Sequence, residues 1–445
     1  MNESIGRAGG VGAELIVRLD RPANGGESVG RVDGRVVFVR GAIPGEQVRV
    51  QITDDRRESF LRGEVVEILE PSAHRIDTPC DAARHGAGCC DLGFVEPGHA
   101  RTLKGQVILD ALTRIGRFSV ADLDGIDAGT VASLGDDGTH WRVRTRLGVD
   151  AEGRAGMHAF HGSSIITDHP CAAPEPGMVD GLDAYTVTPG ADLAVVADMD
   201  GRRHITELAP PRVHARRSRP GTRGRTQSIR RGREAPRAQR VVEGDPMAAH
   251  RVGDRIWQIP VAAFWQAHRA APSAYARTVV ELLAGVELAA GPEPLVAWDL
   301  YGGAGVFAAA MLDAPGDGLE AIGTVHVVES DTAAVSAAER TFADDDRVVL
   351  HPGDVAGVAA GLPTPDVVIL DPPRTGAGAA VIDVVADADP AVIVHVGCDV
   401  GRFARDLALF AEHGYQPRVI RSFDAFPMTH HVEAIACLVP AHREM

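Results

Sequence analysis

The sequence runs to 445 residues, 45% of them apolar, with a formal net charge of −16. That length suits about two to four ordinary domains. Six cysteines in such a chain exclude a disulfide-built scaffold, and no apolar run reaches membrane-spanning length. The start of the chain has no charged-then-apolar leader, so a cytoplasmic protein with reduced thiols and no membrane partner is expected. The acidic sum by itself argues against a nucleic-acid partner, which needs a positive surface.

In chain order, residues 12–72 read as all-β. Short alternating runs (Glu14–Leu19, Arg35–Arg40, Glu46–Ile52, Arg62–Leu69) alternate with Gly, Pro, Asn and Asp turns, a spacing that predicts a small OB-like barrel of about five strands. Residues 73–260 read as a mixed central domain holding Cys80, Cys89, Cys90 and Cys171. A strand over His140–Asp150 sets Arg142, Arg144 and Arg146 on one face by period-2 alternation. That row is either solvated or a grip on phosphates. Residues 209–245 then change character, with eleven arginines from Arg212 to Arg240 against the one acid Glu234. Without apolar periodicity this predicts a disordered basic insert, either a solvated linker or a tracker of nucleic-acid backbone. The charge is therefore unevenly spread, which readmits RNA or DNA.

Residues 261–445 repeat strand, loop and helix. Near-continuous apolar runs ("PLVAWDLYG", "TVHVVES", "RVVLHPGD", "DVVILDPP", "AVIVHVGC") alternate with helical patterns ("AYARTVVELLAGV", "DTAAVSAAERTFA"). This predicts an α/β fold with a doubly wound, Rossmann-like sheet that binds ligands at the carboxyl ends of its strands.

Four features cluster at those ends. Asp299 leads the loop Tyr301-Gly302-Gly303-Ala304-Gly305, where glycine lets a ligand approach the backbone. Glu329 ends the second strand, placed to accept from ribose hydroxyls, and the third and fourth strands end in Asp354 and Asp371. A carboxylate leading the loop repels a pyrophosphate but suits a sulfonium or ammonium, as in S-adenosylmethionine (SAM). The fourth strand runs into Asp371-Pro372-Pro373-Arg374, a rigid platform for a flat base, with no aromatic in the fourth place to favour amino methylation. The fifth strand delivers Cys398. A lone cysteine is usually a small buried hydrophobe, yet this one stands at the mouth of the sheet. Carbon 5 of a uracil becomes nucleophilic once a thiolate adds at carbon 6. A base must then remove the carbon 5 proton. His430, His431 and Glu433 are the candidates, with Gln266, after Phe264 and Trp265, to read a base edge or hold the cofactor.

With these motifs assembled, the chain resembles the class I SAM-dependent RNA (uracil-5-)methyltransferases that carry an N-terminal TRAM domain. The matching stretches are the barrel at 12–72, "FWQAH", "DLYGGAGVFA", "VVESD", "ILDPPRTGAG", "VGCDVGRFARDL" and "DAFPMTHHVE". The resemblance implies Cys398 as nucleophile and Glu433 as base. It implies that Gln266, Tyr301, Gly303, Glu329 and Asp371 contact SAM or frame the transfer and that the barrel binds RNA; ribosomal or transfer RNA is the expected partner and a monomer the expected state. Relatives often hold a [4Fe–4S] cluster on C-x5-C-x2-C plus a later cysteine. Here the first three are Cys80, Cys89 and Cys90, the last two adjacent, with Cys171 as the fourth; thiols left in a domain without metal are the alternative. The nucleophile segment also departs, reading Gly-Cys-Asp-Val where the family has Ser-Cys-Asn-Pro. A cytosine-5 enzyme and a non-catalytic RNA-binding protein are the competing readings.

Overall fold

The computed structural model describes residues 10–135, 138–160, 162–211, 237–288, 293–314 and 319–441. Strands β1 (Glu14–Ala23), β2 (Glu27–Val32), β3 (Arg35–Arg40), β4 (Gln47–Asp54) and β5 (Phe60–Glu70) close a barrel in the order β1-β2-β3-β5-β4. Its inward positions are the apolar half of each alternation, including Val17, Leu19, Val37, Val39, Val48, Val50 and Ile52. The five-strand expectation holds. Buried Glu46 ties the barrel to the segment after β5: Arg75 donates to both of its oxygens at 2.7 Å, and Ile43 and Ser72 donate through their backbone N–H.

After α1 (Asp81–Arg84) comes α2 (Pro97–Arg114), which the sequence pattern does not resolve, and then β6 (Val131–Ser133). Next, β7 (Arg144–Val149), β8 (Ala155–His158), β9 (Ile165–Ile166), β10 (Asp192–Ala197), β11 (Arg203–Leu208) and β12 (Gln239–Glu243) form a six-stranded sheet in the order β12-β11-β10-β7-β8-β9. A separate hairpin joins β13 (Met247–Val252) to β14 (Arg255–Pro260).

Two expectations are corrected here. The end of the basic stretch is ordered sheet: Gln239–Glu243 pairs antiparallel with β11, and Arg237 forms an ion pair with Asp192. Residues 212–236, with most of the arginines, lie outside the described residues. The arginine row is not one solvent face. Arg142 is half-buried with its guanidinium 4.5 Å from the Trp141 ring, and Arg144 donates to the Val261 carbonyl at 3.0 Å. Only Arg146 of the three is exposed.

The remaining elements are α3 (Ala271–Ala284), β15 (Leu295–Leu300), α4 (Val306–Leu312), β16 (Ile322–Glu329), α5 (Thr332–Thr341), β17 (Val348–Pro352), α6 (Val355–Ala359), β18 (Val367–Leu370), α7 (Ala379–Asp387), β19 (Val392–Gly397), α8 (Val400–Glu412), β20 (Tyr415–Asp424) and β21 (Glu433–Pro440). They build an eight-stranded sheet in the order β17-β16-β15-β18-β19-β21-β20-β6. The inner strands are buried on both sides, which is why they read as unbroken apolar runs. Helices α3, α4 and α5 cover one face, and α2, α6, α7 and α8 the other, so the sheet is doubly wound as expected. β21 runs antiparallel between β19 and β20. β6 comes from far upstream, pairing in parallel with β20, while α2 packs against α8 through Ile108, Ala111 and Leu112.

One buried ion pair locks that junction. Lys104 of α2 donates to Asp424 at 2.5 Å and to the Phe426 carbonyl at 3.2 Å, with both charged side chains almost wholly buried. Removing one partner leaves an uncompensated charge in the core. Lys104→Ala is therefore expected to destabilise the protein by about 3–5 kcal/mol, read from its denaturant midpoint. No helix among the described residues is long and apolar enough to cross a membrane.

Candidate active site

The site forms at the carboxyl edge of the sheet, around the place where β15 is flanked by β16 on one side and β18 on the other. Register decides which side chains meet. Leu300 pairs with Val328 and with Leu370, so the next residues along, Tyr301, Glu329 and Asp371, emerge side by side. Gly397 of β19 lies opposite Ala434 of antiparallel β21, so the residue after it, Cys398, comes beside Glu433. Cys398 and Glu433 are thus brought together from positions 35 apart in sequence.

The glycine loop is shaped by contacts below it. Gly303 and Gly305 have φ of +57° and +81°, and a Cβ on Gly305 would lie 2.5 Å from the Phe342 ring. Tyr301 also takes a positive φ, +58°. Glu329 accepts from the Gly303 N–H at 3.1 Å and from Ser330 and Asp331 N–H at 2.6 Å, which leaves this carboxylate anchored at the rim.

Asp299 is a correction. It is fully buried beneath the loop, accepting from the Ala308 N–H at 3.0 Å with one oxygen unpartnered. It props the start of α4 instead of facing a ligand. Burial pushes its carboxyl up to about 7, with Asp371 and Glu329 adding to the rise against the Ala308 bond. A carboxyl held protonated in the fold but ionised in the unfolded chain costs stability as pH rises from about 4 to about 7, and no further above that. Asp299→Asn removes this term. The gain over wild type should grow across that range to about 4 kcal/mol and then level off, measured by thermal unfolding at a series of pH values.

The other acidic groups are crowded. Burial, then Glu329, raises Asp371 to about 7. Burial and Asp371 lift Glu433 well above the usual carboxylate range, while Arg374 opposes the rise. Burial, Glu433 and Asp371 push the Cys398 thiol up to about 12, again against Arg374. An acid-rich cluster that resists holding several negative charges at once is suited to a cationic ligand.

The Asp-Pro-Pro-Arg segment makes a tight turn, with Gly376 N–H donating to the Pro373 carbonyl at 2.7 Å. It is bolted to α8, where Asp406 accepts from the Ala377 N–H at 2.7 Å and Arg405 donates to the Thr375 carbonyl at 3.1 Å. Asp399 caps the same helix, accepting from the Arg402 N–H at 3.0 Å. The segment Gly-Cys-Asp-Val therefore holds its cysteine with an Asp N-cap and a docked helix where a prolyl turn is missing. Gly397 is needed there because a Cβ would lie 2.7 Å from the Phe403 ring.

Of the other candidates, His430 is engaged with Asp91 at 2.6 Å, and burial drives His431 down to about 3, so it is a weak base. Gln266 is half-buried just ahead of α3. Its neighbours divide: Trp265 is core, stacked on His250, but Phe264 is 76% exposed. The residue that sequence reasoning missed is Tyr275 of α3. It is buried, its hydroxyl has no hydrogen-bond partner, and charges on Glu433, Asp371 and Cys398 all act on it. A tyrosine on the apolar stripe of a helix reads as packing, and nothing in the periodicity marks its hydroxyl.

About the junction of barrel, central sheet and catalytic sheet, Cys80, Cys89, Cys90 and Cys171 converge with all four sulfurs within 4.8 Å of one another. None is disulfide-bonded. Four converging thiols are a metal-binding donor set, but a four-iron cube puts each thiolate on its own iron and demands a wider spread than this.

The sheet order and the residues gathered at its carboxyl edge define a class I methyltransferase fold joined to a small barrel. Comparison with known proteins agrees. The TRAM domain model matches residues 10–66, the barrel. An uncharacterized RNA methyltransferase of Corynebacterium glutamicum is 40% identical, with 96% of each chain covered. The 23S rRNA (uracil(1939)-C(5))-methyltransferase RlmD of Halomonas elongata is 29% identical, covering 98% of this chain and 91% of its own length. Among solved structures, Pyrococcus abyssi tRNA (uracil-54, C5)-methyltransferase with S-adenosyl-L-homocysteine superposes with a TM-score of 0.64 at 18% identity, covering 96% of this chain and 99% of its own; the likeness is one of fold. The chain belongs to the RNA methyltransferases that carry a TRAM domain, and it is an enzyme of that class.

Proposed function

We propose that this enzyme methylates carbon 5 of a uridine in ribosomal or transfer RNA, with SAM as the methyl donor. The observation that carries the reading is the β19–β21 register, which sets Cys398 beside Glu433 in a pocket rich in acids. Gln266, Tyr301, Gly303, Glu329 and Asp371 frame the donor, whose sulfonium supplies both the methyl group and a second positive charge, beside Arg374, among these acids. The Cys398 thiolate adds to carbon 6 of the uracil, and the electron pair of the carbon 5–carbon 6 double bond moves out as an enolate. Carbon 5 then takes the methyl group, leaving a thioether. Glu433 removes the carbon 5 proton, the carbon 6–sulfur bond breaks, and the thiolate leaves as the double bond re-forms.

The proposed division is a TRAM RNA-binding barrel over 12–72, a central domain over 73–260 and a methyltransferase domain over 261–445, acting as a cytoplasmic monomer. In the central domain the four thiols hold a metal. The iron–sulfur cube implied by the family resemblance matches their number but not their spacing. A cytosine-5 enzyme is disfavoured because the loop after β18 is Asp-Pro-Pro-Arg, with no cysteine in it. A non-catalytic RNA binder has no use for the Cys398–Glu433 pair.

The test incubates purified protein and methyl-labelled SAM with ribosomal and transfer RNA from a strain lacking the gene, then applies nucleoside mass spectrometry. Label in 5-methyluridine is expected. Label in cytidine, or none in any nucleoside, overturns the reading.

A further inference from the structure

We infer that Cys80, Cys89, Cys90 and Cys171 bind a single tetrahedral zinc ion and not an iron–sulfur cube. Three of the six sulfur separations are 3.9 Å for Cys80–Cys89, 3.9 Å for Cys90–Cys171 and 3.5 Å for Cys89–Cys171, and all six lie within 4.8 Å. Four thiolates about 2.3 Å from one ion at the corners of a tetrahedron stand about 3.8 Å apart. In a cube, an iron–iron edge is added between any two thiolates, and the sulfurs stand well beyond that distance. The adjacency of Cys89 and Cys90 points the same way, because two neighbouring residues reach one ion more readily than two separate corners of a cube. An all-thiolate tetrahedral set with no histidine or carboxylate selects a soft-tolerant ion without geometric demands of its own, which is the coordination chemistry of zinc.

The site is held in shape by bonds that do not involve the metal. Ala82 N–H donates to the Pro170 carbonyl at 3.1 Å, and Asp81 pairs with His169 at 2.8 Å, so the segments bearing Cys80 and Cys171 are tied together on both sides. The half-buried Arg142 adds positive charge nearby. Binding releases four thiol protons and forms four metal–sulfur bonds, leaving a net charge of about −2 on the site, which such a neighbour offsets.

The position gives the ion a purpose. Asp91, directly after Cys90, accepts from the His430 backbone at 3.0 Å and lies 3.6 Å from Arg40 of the barrel. Leu92 N–H donates to the Met428 carbonyl at 2.8 Å. The metal loop therefore pins the barrel to the segment that leads into Glu433, as a closed structural site with no open coordination position.

The test uses the full-length protein, purified without oxygen from cells supplied with both iron and zinc. Metal content, acid-labile sulfide, the visible spectrum and zinc X-ray absorption are measured. One zinc per chain, no sulfide, no visible iron–sulfur band and a shell of four sulfurs at about 2.3 Å are expected. Cys171→Ser should lose most of the zinc. Four irons with sulfide and visible charge-transfer absorption overturn the proposal. So does a single iron, or a folded protein with no metal. Incubating the metal-free protein with ferrous iron and sulfide is a second arm, and assembly of a cube there likewise overturns it.

Discussion

Cys398→Ala is expected to abolish methyl transfer to uridine, lowering the single-turnover rate by at least about 10⁴-fold while leaving the fold intact. The side chain is only half-buried, at the end of β19, so its loss opens no large cavity. Without the thiolate, carbon 5 of uracil has no route to nucleophilic character, and binding of donor and RNA cannot substitute for the missing covalent step. SAM affinity, measured by calorimetry, should change little. Methylation by the variant at the wild-type rate would refute the covalent mechanism. The same chemistry sets a pH profile. Burial, Glu433 and Asp371 hold the free thiol at about 12, so the reactive thiolate is a minor species at neutral pH. The value of kcat/KM should rise with pH across the neutral range. Arg374→Gln removes the cation that opposes that rise and should displace the profile towards still higher pH.

Glu433→Gln is expected to do something different: trap the reaction after the methyl group has moved. Cys398 still adds and carbon 5 still accepts the methyl group, but the carbon 5 proton has no base to take it. The carbon 6–sulfur bond then cannot break. A covalent protein–RNA species should accumulate, stable to denaturing electrophoresis, while multiple turnover falls by about 10²–10⁴-fold. Combining it with Cys398→Ala should remove that species entirely. Rapid release of methylated RNA from Glu433→Gln would assign the base elsewhere. His431 is the nearest alternative in sequence, but burial keeps it near 3 and therefore weakly basic.

The two variants are expected to separate because in the proposed mechanism the two side chains act at different stages, although they come from adjacent strands. That adjacency was not legible in the sequence. The motif "VGCDV" identified a strand end, and "HHVEAIACLVP" identified an acid opening an apolar run. Only the antiparallel insertion of β21 between β19 and β20 makes Cys398 and Glu433 neighbours. Glu329 and Asp371 were easier to read, because each ends a parallel strand and parallel strands deliver their carboxyl ends to one edge. Asp299 misled for the opposite reason. Its place at a strand end is right, but whether a carboxylate faces the ligand or the helix beneath depends on which side of the loop it leaves.

What the sequence determined by itself is the local architecture. Period-2 alternation marked the barrel, unbroken apolar runs marked a sheet covered on both faces, and Gly302, Gly303 and Gly305 marked the loop between β15 and α4. These signals are carried within a few residues, by steric and solvation preferences that a chain cannot hide. Tertiary structure decided the rest. It brought β6 and α2 onto a sheet whose other strands lie more than a hundred residues downstream, and it buried Lys104 against Asp424. It placed Tyr275 where Glu433, Asp371 and Asp424 act on it and gathered four cysteines spread over 92 positions to within 4.8 Å. Those contacts depend on register and packing between distant segments, and the free energy of such contacts has no imprint in the local pattern of either partner.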